Sequence, residues 1–269
     1  MAQVKALIVT GYGTNCDKES AHAAREAGAD QAQVIFFSDL AAGKAKLTEA
    51  NFLIFPGGFL DGDDLGAAQA AAIRWRYATD PTGAPILDQL KAFFAAGGLV
   101  LGICNGFQLL VKLGMLPALG GEYFSRQVSL SLNDSARFED RWVRLAANPA
   151  SPCVFTKGLD RISLPVRHGE GKLIPLDQAT LDALEANNLV TLRYVNPQTG
   201  QPTQEYPHNP NGSPRAIAGL TDPTGRVLGL MPHPEAFNHR TNHPRWTRNE
   251  DQTLGLAILE GGVRYLKAQ

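Results

Sequence analysis

Three short stretches of the chain hold residues that could do chemistry. The first is Leu99-Val100-Leu101-Gly102-Ile103-Cys104-Asn105-Gly106-Phe107-Gln108, an apolar run that turns through a cysteine into a segment with helical spacing. Glycines two before and two after Cys104 permit a tight, strained turn. The following helix points its free N–H groups and positive dipole end at the thiol, which favours a thiolate nucleophile. The competing reading, a cysteine that is only a small buried apolar residue, leaves the two glycines without a reason. The second stretch is Met231-Pro232-His233-Pro234-Glu235. A thiolate needs a base, and the base needs an orienting group. The prolines predict an extended chain in which residues two apart share a side, so Glu235 would hold the His233 tautomer. The third is Pro56-Gly57-Gly58-Phe59, where backbone can approach a substrate oxygen. The amides of Gly58 and Asn105 would make a two-donor oxyanion hole suited to acyl transfer; an ordinary turn is the alternative there.

These stretches need elements that deliver them to one edge of a sheet. Val4–Thr10 is a continuous apolar run and predicts a strand buried on both faces. Asp17–Gly28 predicts a helix with Asp17 as N-cap and Gly28 as its stop. Val34–Phe37, Phe52–Phe55 and Leu99–Ile103 predict further strands, alternating with helices at Leu65–Tyr77, Ile86–Ala96 and Phe107–Leu113. Such alternation predicts an α/β fold: a mostly parallel, flavodoxin-like open sheet with helices on both faces, whose strand ends form the ligand crevice. From about residue 123 to 195 the rhythm changes. Gln127–Leu132, Trp142–Ala146, Ile162–Arg167 and Val190–Val195 read as strands without comparable helices between most of them, an antiparallel β excursion. Asn196–Pro214 reads as a long loop, and Ala216–Leu220, Val227–Met231 and a helix over Gln252–Leu266 close the chain. Residues 1–269 are expected to form a single domain.

Composition removes several function classes. Hydrophobic residues make up 44% and charged residues 19% of 269, a globular balance long enough for a substantial core. Lys and Arg number 25 against 26 Asp and Glu, so no basic excess draws in nucleic acid or an anionic membrane. Three widely spaced cysteines are neither a disulfide framework nor a C-x-x-C metal site, and the first apolar run is too short for a signal peptide. A cytoplasmic protein is expected. His239 and His243 stand four apart, but no third ligand is evident and Pro244 follows directly, so no metal is expected. Cys16, just before a helix start, and Cys153 are read as structural.

Gly-Ile-Cys104-Asn-Gly-Phe-Gln, Pro-Gly-Gly58-Phe and His233-Pro-Glu235 together resemble the class I (triad) glutamine amidotransferases. Gly13-Thr14-Asn15-Cys16-Asp17, His168-Gly169-Glu170-Gly171, Asn209-Pro210-Asn211-Gly212-Ser213 and the run Gly229–Glu235 are similar, more narrowly, to glutaminase subunits of phosphoribosylformylglycinamidine synthases. The resemblance spans nearly the whole chain. It implies that Cys104 attacks the side-chain amide of L-glutamine, that His233 protonates the leaving ammonia, and that water releases glutamate from a γ-glutamyl thioester. The ammonia would serve a large synthetase subunit that converts formylglycinamide ribonucleotide to formylglycinamidine ribonucleotide in de novo purine biosynthesis. A small bridging subunit is the other partner raised. No cofactor is implied for this chain; ATP and magnesium belong to the synthetase. Gly57, Phe59 and Gln108 would position glutamine, while His168 and Glu170 would line the pocket or relay the partner's state.

Where the family usually has Gly-Phe-Ser-Tyr-Gly-Asp-Tyr-Leu, Gly58–Leu65 lacks the serine and both tyrosines, which alters the pocket wall. Tyr77–Pro85 and Phe237–Asn249 read as insertions that could contact a partner. The alternatives are an amidotransferase serving another acceptor, a non-catalytic glutamine-sensing module, and a cysteine hydrolase of other amides. Intact Cys104, His233 and Glu235 argue against the sensor.

Overall fold

In the computed structural model, which describes residues 2–248 and 253–269, the first half of the chain alternates strands and helices. β1 (Lys5–Thr10) leads through α1 (Asp17–Glu26), β2 (Gln31–Phe36) and the short α2 (Phe37–Ala41) to β3 (Phe52–Phe55). Next come α3 (Gln69–Tyr77), α4 (Ile86–Ala95), β4 (Leu99–Ile103) and α5 (Asn105–Leu113). A strand-rich stretch holds β5 (Val128–Leu132), β6 (Glu139–Ala147), β7 (Arg161–His168) and β8 (Glu170–Pro175), then α6 (Gln178–Ala186) and β9 (Val190–Tyr194). β10 (Ile217–Thr221), β11 (Val227–Leu230) and α7 (Leu256–Lys267) complete the fold.

Nine strands share one sheet in the order β2-β1-β3-β4-β11-β10-β9-β6-β7, and β5 pairs with β8 apart from it. From β2 to β11 every pairing is parallel, the strand order expected of a flavodoxin-like sheet. From β11 outward every pairing is antiparallel. The excursion is thus a wing of the same sheet, and it continues past residue 195 through β10. All residues of β3 and β4 are buried, as their unbroken apolar runs require. Burying each of Phe52, Leu53, Ile54, Leu99 and Leu101 in this core contributes about 1.5–3 kcal/mol. α1 packs on α7, and α3 on α4 and α5, two groups of helices that cover the sheet.

Several elements differ from expectation for local reasons. The helix expected over Leu65–Tyr77 begins only at Gln69, because Gly66 and Ala68 take left-handed backbone (φ 93° and 58°). Cys16, not Asp17, occupies the cap position of α1, without a side-chain capping bond; Asp17 instead places its charge in the first turn, where the helix dipole favours it. α6 interrupts the strand-rich stretch, started by Asp177, whose carboxylate accepts the Thr180 N–H, and anchored by buried Leu181 and Leu184. α2 and β8 carry no periodicity long enough to read. The residue at which the last helix was expected to start, Gln252, lies outside the described residues, as does the end of the second insertion at 249; α7 spans Leu256–Lys267. Among the described residues no helix is long and apolar enough to cross a membrane.

Candidate active site

Parallel pairing of β1, β3, β4 and β11 brings the ends of four strands, and the loops after them, to one edge. At that edge Cys104 joins β4 to α5 with φ 51° and ψ −104°. Such backbone costs a non-glycine residue about 1–3 kcal/mol and persists only where its surroundings hold it. The clamp is visible. The Cys104 N–H donates to the Leu230 carbonyl at 2.8 Å, and a Cβ on Gly106 would lie 1.9 Å from the Phe55 carbonyl oxygen. A Cβ on Gly102 would lie 2.8 Å from the Gly106 backbone. The flanking glycines therefore serve close approach between β3, β4 and α5, and the strained turn falls on the cysteine itself. The thiol is 5% exposed, with Sγ 3.6 Å from the Arg167 carbonyl oxygen. As first residue of α5, Asn105 has a backbone N–H with no acceptor among the described residues.

β11 ends at Leu230, and the His233 N–H is anchored on the Pro165 carbonyl of β7 at 2.8 Å. His233 is extended, but Pro234–Ala236 closes a tight 3-10 turn. This turn, not the extended run expected from the prolines, brings Glu235 Oε1 to 2.6 Å from His233 Nδ1. Both side chains are almost fully buried. Burial pushes the His233 pKa down, yet the Glu235 charge, followed by Cys104 and Cys16, raises it well above 6.5 on balance. Among the described residues His233 Nε2 has no hydrogen-bond partner.

Cys16, read from sequence as structural, belongs to this constellation. Its Sγ lies 3.9 Å from His233 Nδ1 and 3.1 Å from Asn15 Oδ1, and burial pushes its thiol pKa up. Cys16, His233 and Glu235 are the one group among the described residues whose donor atoms, all within 4.8 Å of one another, could hold a metal ion. With Nδ1 already engaged by the carboxylate, the trio reads as a polarised histidine flanked by a neutral thiol. His239 and His243 have other uses: His239 Nδ1 accepts the Thr241 N–H, and the His243 ring packs on Trp142 at 4.6 Å between centroids.

The Gly57-Gly58 turn interlocks with the loop after β1. Asn15 and Cys16 donate N–H groups to the Gly57 carbonyl, and Phe59 donates to Gly13. A Cβ on Gly57 would lie 2.7 Å from His233 Cε1, so Gly57 makes room for the imidazole. Gly58, at φ 140°, keeps its N–H free of any acceptor among the described residues. Phe59 is 43% exposed and faces Phe138. Gln108 and Glu170, expected at the pocket, are bonded within the chain. Gln108 Nε2 donates to the Glu170 carbonyl and its Oε1 accepts from Asn105 Nδ2, while Asn105 Oδ1 accepts the Leu60 N–H. Glu170 Oε2 accepts the Ala67 N–H, and Lys112 Nζ donates to the Ala67 carbonyl. These side chains tie the turn, α5 and β8 together; their polar ends bond within the chain. His168 is buried, bonded through Nδ1 to Asn133 Oδ1 at 3.0 Å. Asn209–Ser213 backs β8: Ser213 Oγ donates to the Gly171 carbonyl and accepts the Leu173 N–H, and Asn211 Nδ2 donates to the Tyr194 hydroxyl.

A thiol in strained backbone beside a buried histidine–carboxylate pair, with two amides unengaged among the described residues, is equipped for acyl transfer from an amide. Comparison with known proteins gives the same class: the chain belongs to the CobB/CobQ-like glutamine amidotransferase domain family, whose profile matches residues 3–266. Within that class it is 40% identical over 269 residues to phosphoribosylformylglycinamidine synthase subunit PurQ of Dehalococcoides mccartyi, covering 99% of each chain. It is 40% identical over 242 residues to the subunit of the same name from Methanococcus maripaludis strain C5, covering 90% of this chain and 86% of that one. The fold is similar to a chain in the structure of PurLQS from Thermotoga maritima, with TM-score 0.70 and 26% identity, over 98% of this chain and 100% of that chain.

Proposed function

We propose that this chain hydrolyses L-glutamine to glutamate and ammonia, as the glutaminase subunit of a phosphoribosylformylglycinamidine synthase. The observation that carries the reading is the Cys104 elbow in strained backbone beside the His233–Glu235 pair. Cys104 Sγ attacks the carboxamide carbon as the thiolate whose proton His233 carries, and the developing oxyanion takes the free N–H groups of Gly58 and Asn105. His233, held charged by Glu235, donates its Nε2 proton to the departing nitrogen as the C–N bond breaks. Ammonia leaves and a γ-glutamyl thioester remains. His233 then takes a proton from water, which attacks the thioester and frees glutamate and the thiolate, restoring the starting pair.

Gly57 and Phe59 shape the glutamine pocket, with Gln108 and Glu170 acting through the scaffold they tie. The ammonia passes to a large synthetase subunit, where ATP and magnesium act on formylglycinamide ribonucleotide, with a small subunit bridging the two; the names of the similar proteins support this acceptor over others. The cytoplasm is the compartment proposed. The test is glutamate release from glutamine with and without the cognate synthetase, ATP and acceptor, with Cys104→Ala as blank. Cys104-dependent release stimulated by the full mixture is expected. No release under any condition would overturn the glutaminase reading, and release indifferent to the purine acceptor would overturn the assignment of that acceptor.

A further inference from the structure

Cys16 takes no step in the proposed reaction, yet its sulfur lies 3.9 Å from His233 Nδ1, the nitrogen that Glu235 Oε1 holds at 2.6 Å. The donor atoms of the three residues all lie within 4.8 Å of one another, and the residues are 7%, 2% and 1% exposed. Glu235 Oε2 is buried without a hydrogen-bond partner among the described residues, so half of a charged carboxylate is unengaged. The loop that carries Cys16 is fixed in place: its N–H donates to the Gly57 carbonyl, and its carbonyl accepts from the Ser20 N–H and Oγ. Gly57 leaves the gap between the donors unfilled, since a Cβ there would lie 3.4 Å from both Cys16 Sγ and His233 Nδ1.

The spacing suits one kind of ligand. Zinc binds thiolate sulfur at about 2.3 Å and imidazole nitrogen or carboxylate oxygen at about 2.0–2.2 Å, in a tetrahedron whose neighbouring donors stand about 3.3–3.6 Å apart. Closing the sulfur–nitrogen gap from 3.9 Å and opening the nitrogen–oxygen gap from 2.6 Å takes shifts under about 1 Å. Charge balances too. At rest the trio holds the Cys16 thiol proton and the proton between Nδ1 and Oε1; a divalent cation displaces both to solvent, so the net charge of a buried site is unchanged. A thiolate, an imidazole and a carboxylate favour a thiophilic cation over magnesium, which takes oxygen ligands.

We propose that Cys16, His233 and Glu235 form an inhibitory site for a thiophilic divalent cation of the zinc class. With the cation on Nδ1, a bare Nε2 exists only as an imidazolate. His233 then neither gives its Nε2 proton to the departing nitrogen nor takes one from water, and turnover stops. The cation site stands on the geometry of the three side chains; the inhibition rests on the glutaminase reading.

The test uses the full chain, freed of metal by chelation. Zn²⁺ binding is measured by competition with a chromophoric chelator in a Cys104→Ala background, which removes the catalytic thiol as a rival ligand. One Zn²⁺ per chain is expected, with affinity at least about tenfold lower when Cys16→Ser is added. Co²⁺ in place of Zn²⁺ should show sulfur-to-metal absorption in the Cys104→Ala protein and lose it with Cys16→Ser. In the wild-type chain with its synthetase partner, Zn²⁺ should abolish glutamate release and a chelator restore it, whereas magnesium should not inhibit. No Zn²⁺ binding, or binding and absorption indifferent to Cys16→Ser, would overturn the proposal. So would Zn²⁺ binding at the trio that leaves glutamate release intact. If Cys16→Ser does not fold, the cobalt absorption of the Cys104→Ala protein decides: its presence supports the site and its absence refutes it. Absence of Cys104-dependent glutamate release by the metal-free wild-type protein would sink the glutaminase reading, a separate failure that leaves the binding measurements standing.

Discussion

Replacing Glu235 by glutamine, Glu235→Gln, keeps the shape of the side chain and removes its charge, and the consequences for His233 follow from burial. The 2.6 Å contact joins two groups that are almost fully buried, so it is a charge-assisted hydrogen bond contributing about 1.5–3 kcal/mol. As a barrier that is about 10- to 150-fold in rate, and loss of the orienting residue in comparable triads reaches about 10⁴. Glutamate release at neutral pH is therefore expected to fall at least about tenfold. The pH dependence gives a sharper test. Burial is the largest influence on the His233 pKa and depresses it; the Glu235 charge, together with Cys104 and Cys16, more than offsets it. Without that charge the pKa falls, so the alkaline limb of the glutaminase profile moves to lower pH. Stability moves with it. In the wild type, the raised His233 pKa contributes stability that is fully present below 6.5 and lost as pH rises through the folded value. In the variant that contribution is smaller, because the pKa is raised less. The gap in melting temperature between the two proteins must then widen from about pH 8.5 to about pH 5.5. A gap that narrows toward acid, or an unmoved alkaline limb, would refute the reasoning.

The glycines make separate predictions. Gly57→Ala puts a methyl 2.7 Å from His233 Cε1 and should cut kcat for glutamine hydrolysis about tenfold to a hundredfold through misplacement of the ring, with circular dichroism unchanged; wild-type kcat would show that the ring tolerates the shift. Gly106→Ala places a methyl 1.9 Å from the Phe55 carbonyl oxygen, a backbone clash that should cost at least about 1–3 kcal/mol. At about 2–4 °C per kcal/mol in a chain of this size, a melting temperature within 2 °C of wild type would contradict it. Because burial raises the Cys16 and Cys153 thiol pKa values, a thiol-alkylating reagent at neutral pH should leave both unmodified in the native protein and label them only after denaturation, as read by peptide mass spectrometry.

The parts legible in the sequence are those whose signal is local. β3 and β4 announce themselves as unbroken apolar runs, and Cys104 as a cysteine between spaced glycines at the end of one. His233 and Glu235 are found by their spacing, although a 3-10 turn and not an extended strand joins them. α6 had a local signal too, Asp177 three residues before Thr180 with Leu181 and Leu184 behind it, but it sits inside a strand-rich stretch that hides it. Cys16 could not be read: its contact with His233 spans 217 residues and depends on how the Gly57 turn stacks on the loop after β1.

The pocket residues expose a different limit. Gln108, Glu170 and His168 all stand beside the site, and residue type alone makes each a candidate to hold glutamine. Whether a polar side chain faces substrate or scaffold depends on which of its ends already has a partner. Both ends of Gln108 are bonded within the chain, and Glu170 accepts from Ala67. His168 is bonded at one nitrogen only. That asymmetry arises from Asn133, 35 residues earlier in the chain, whose own amide is oriented by two carbonyls. Hydrogen-bond satisfaction of these side chains is thus decided across distant segments, which residue spacing does not encode.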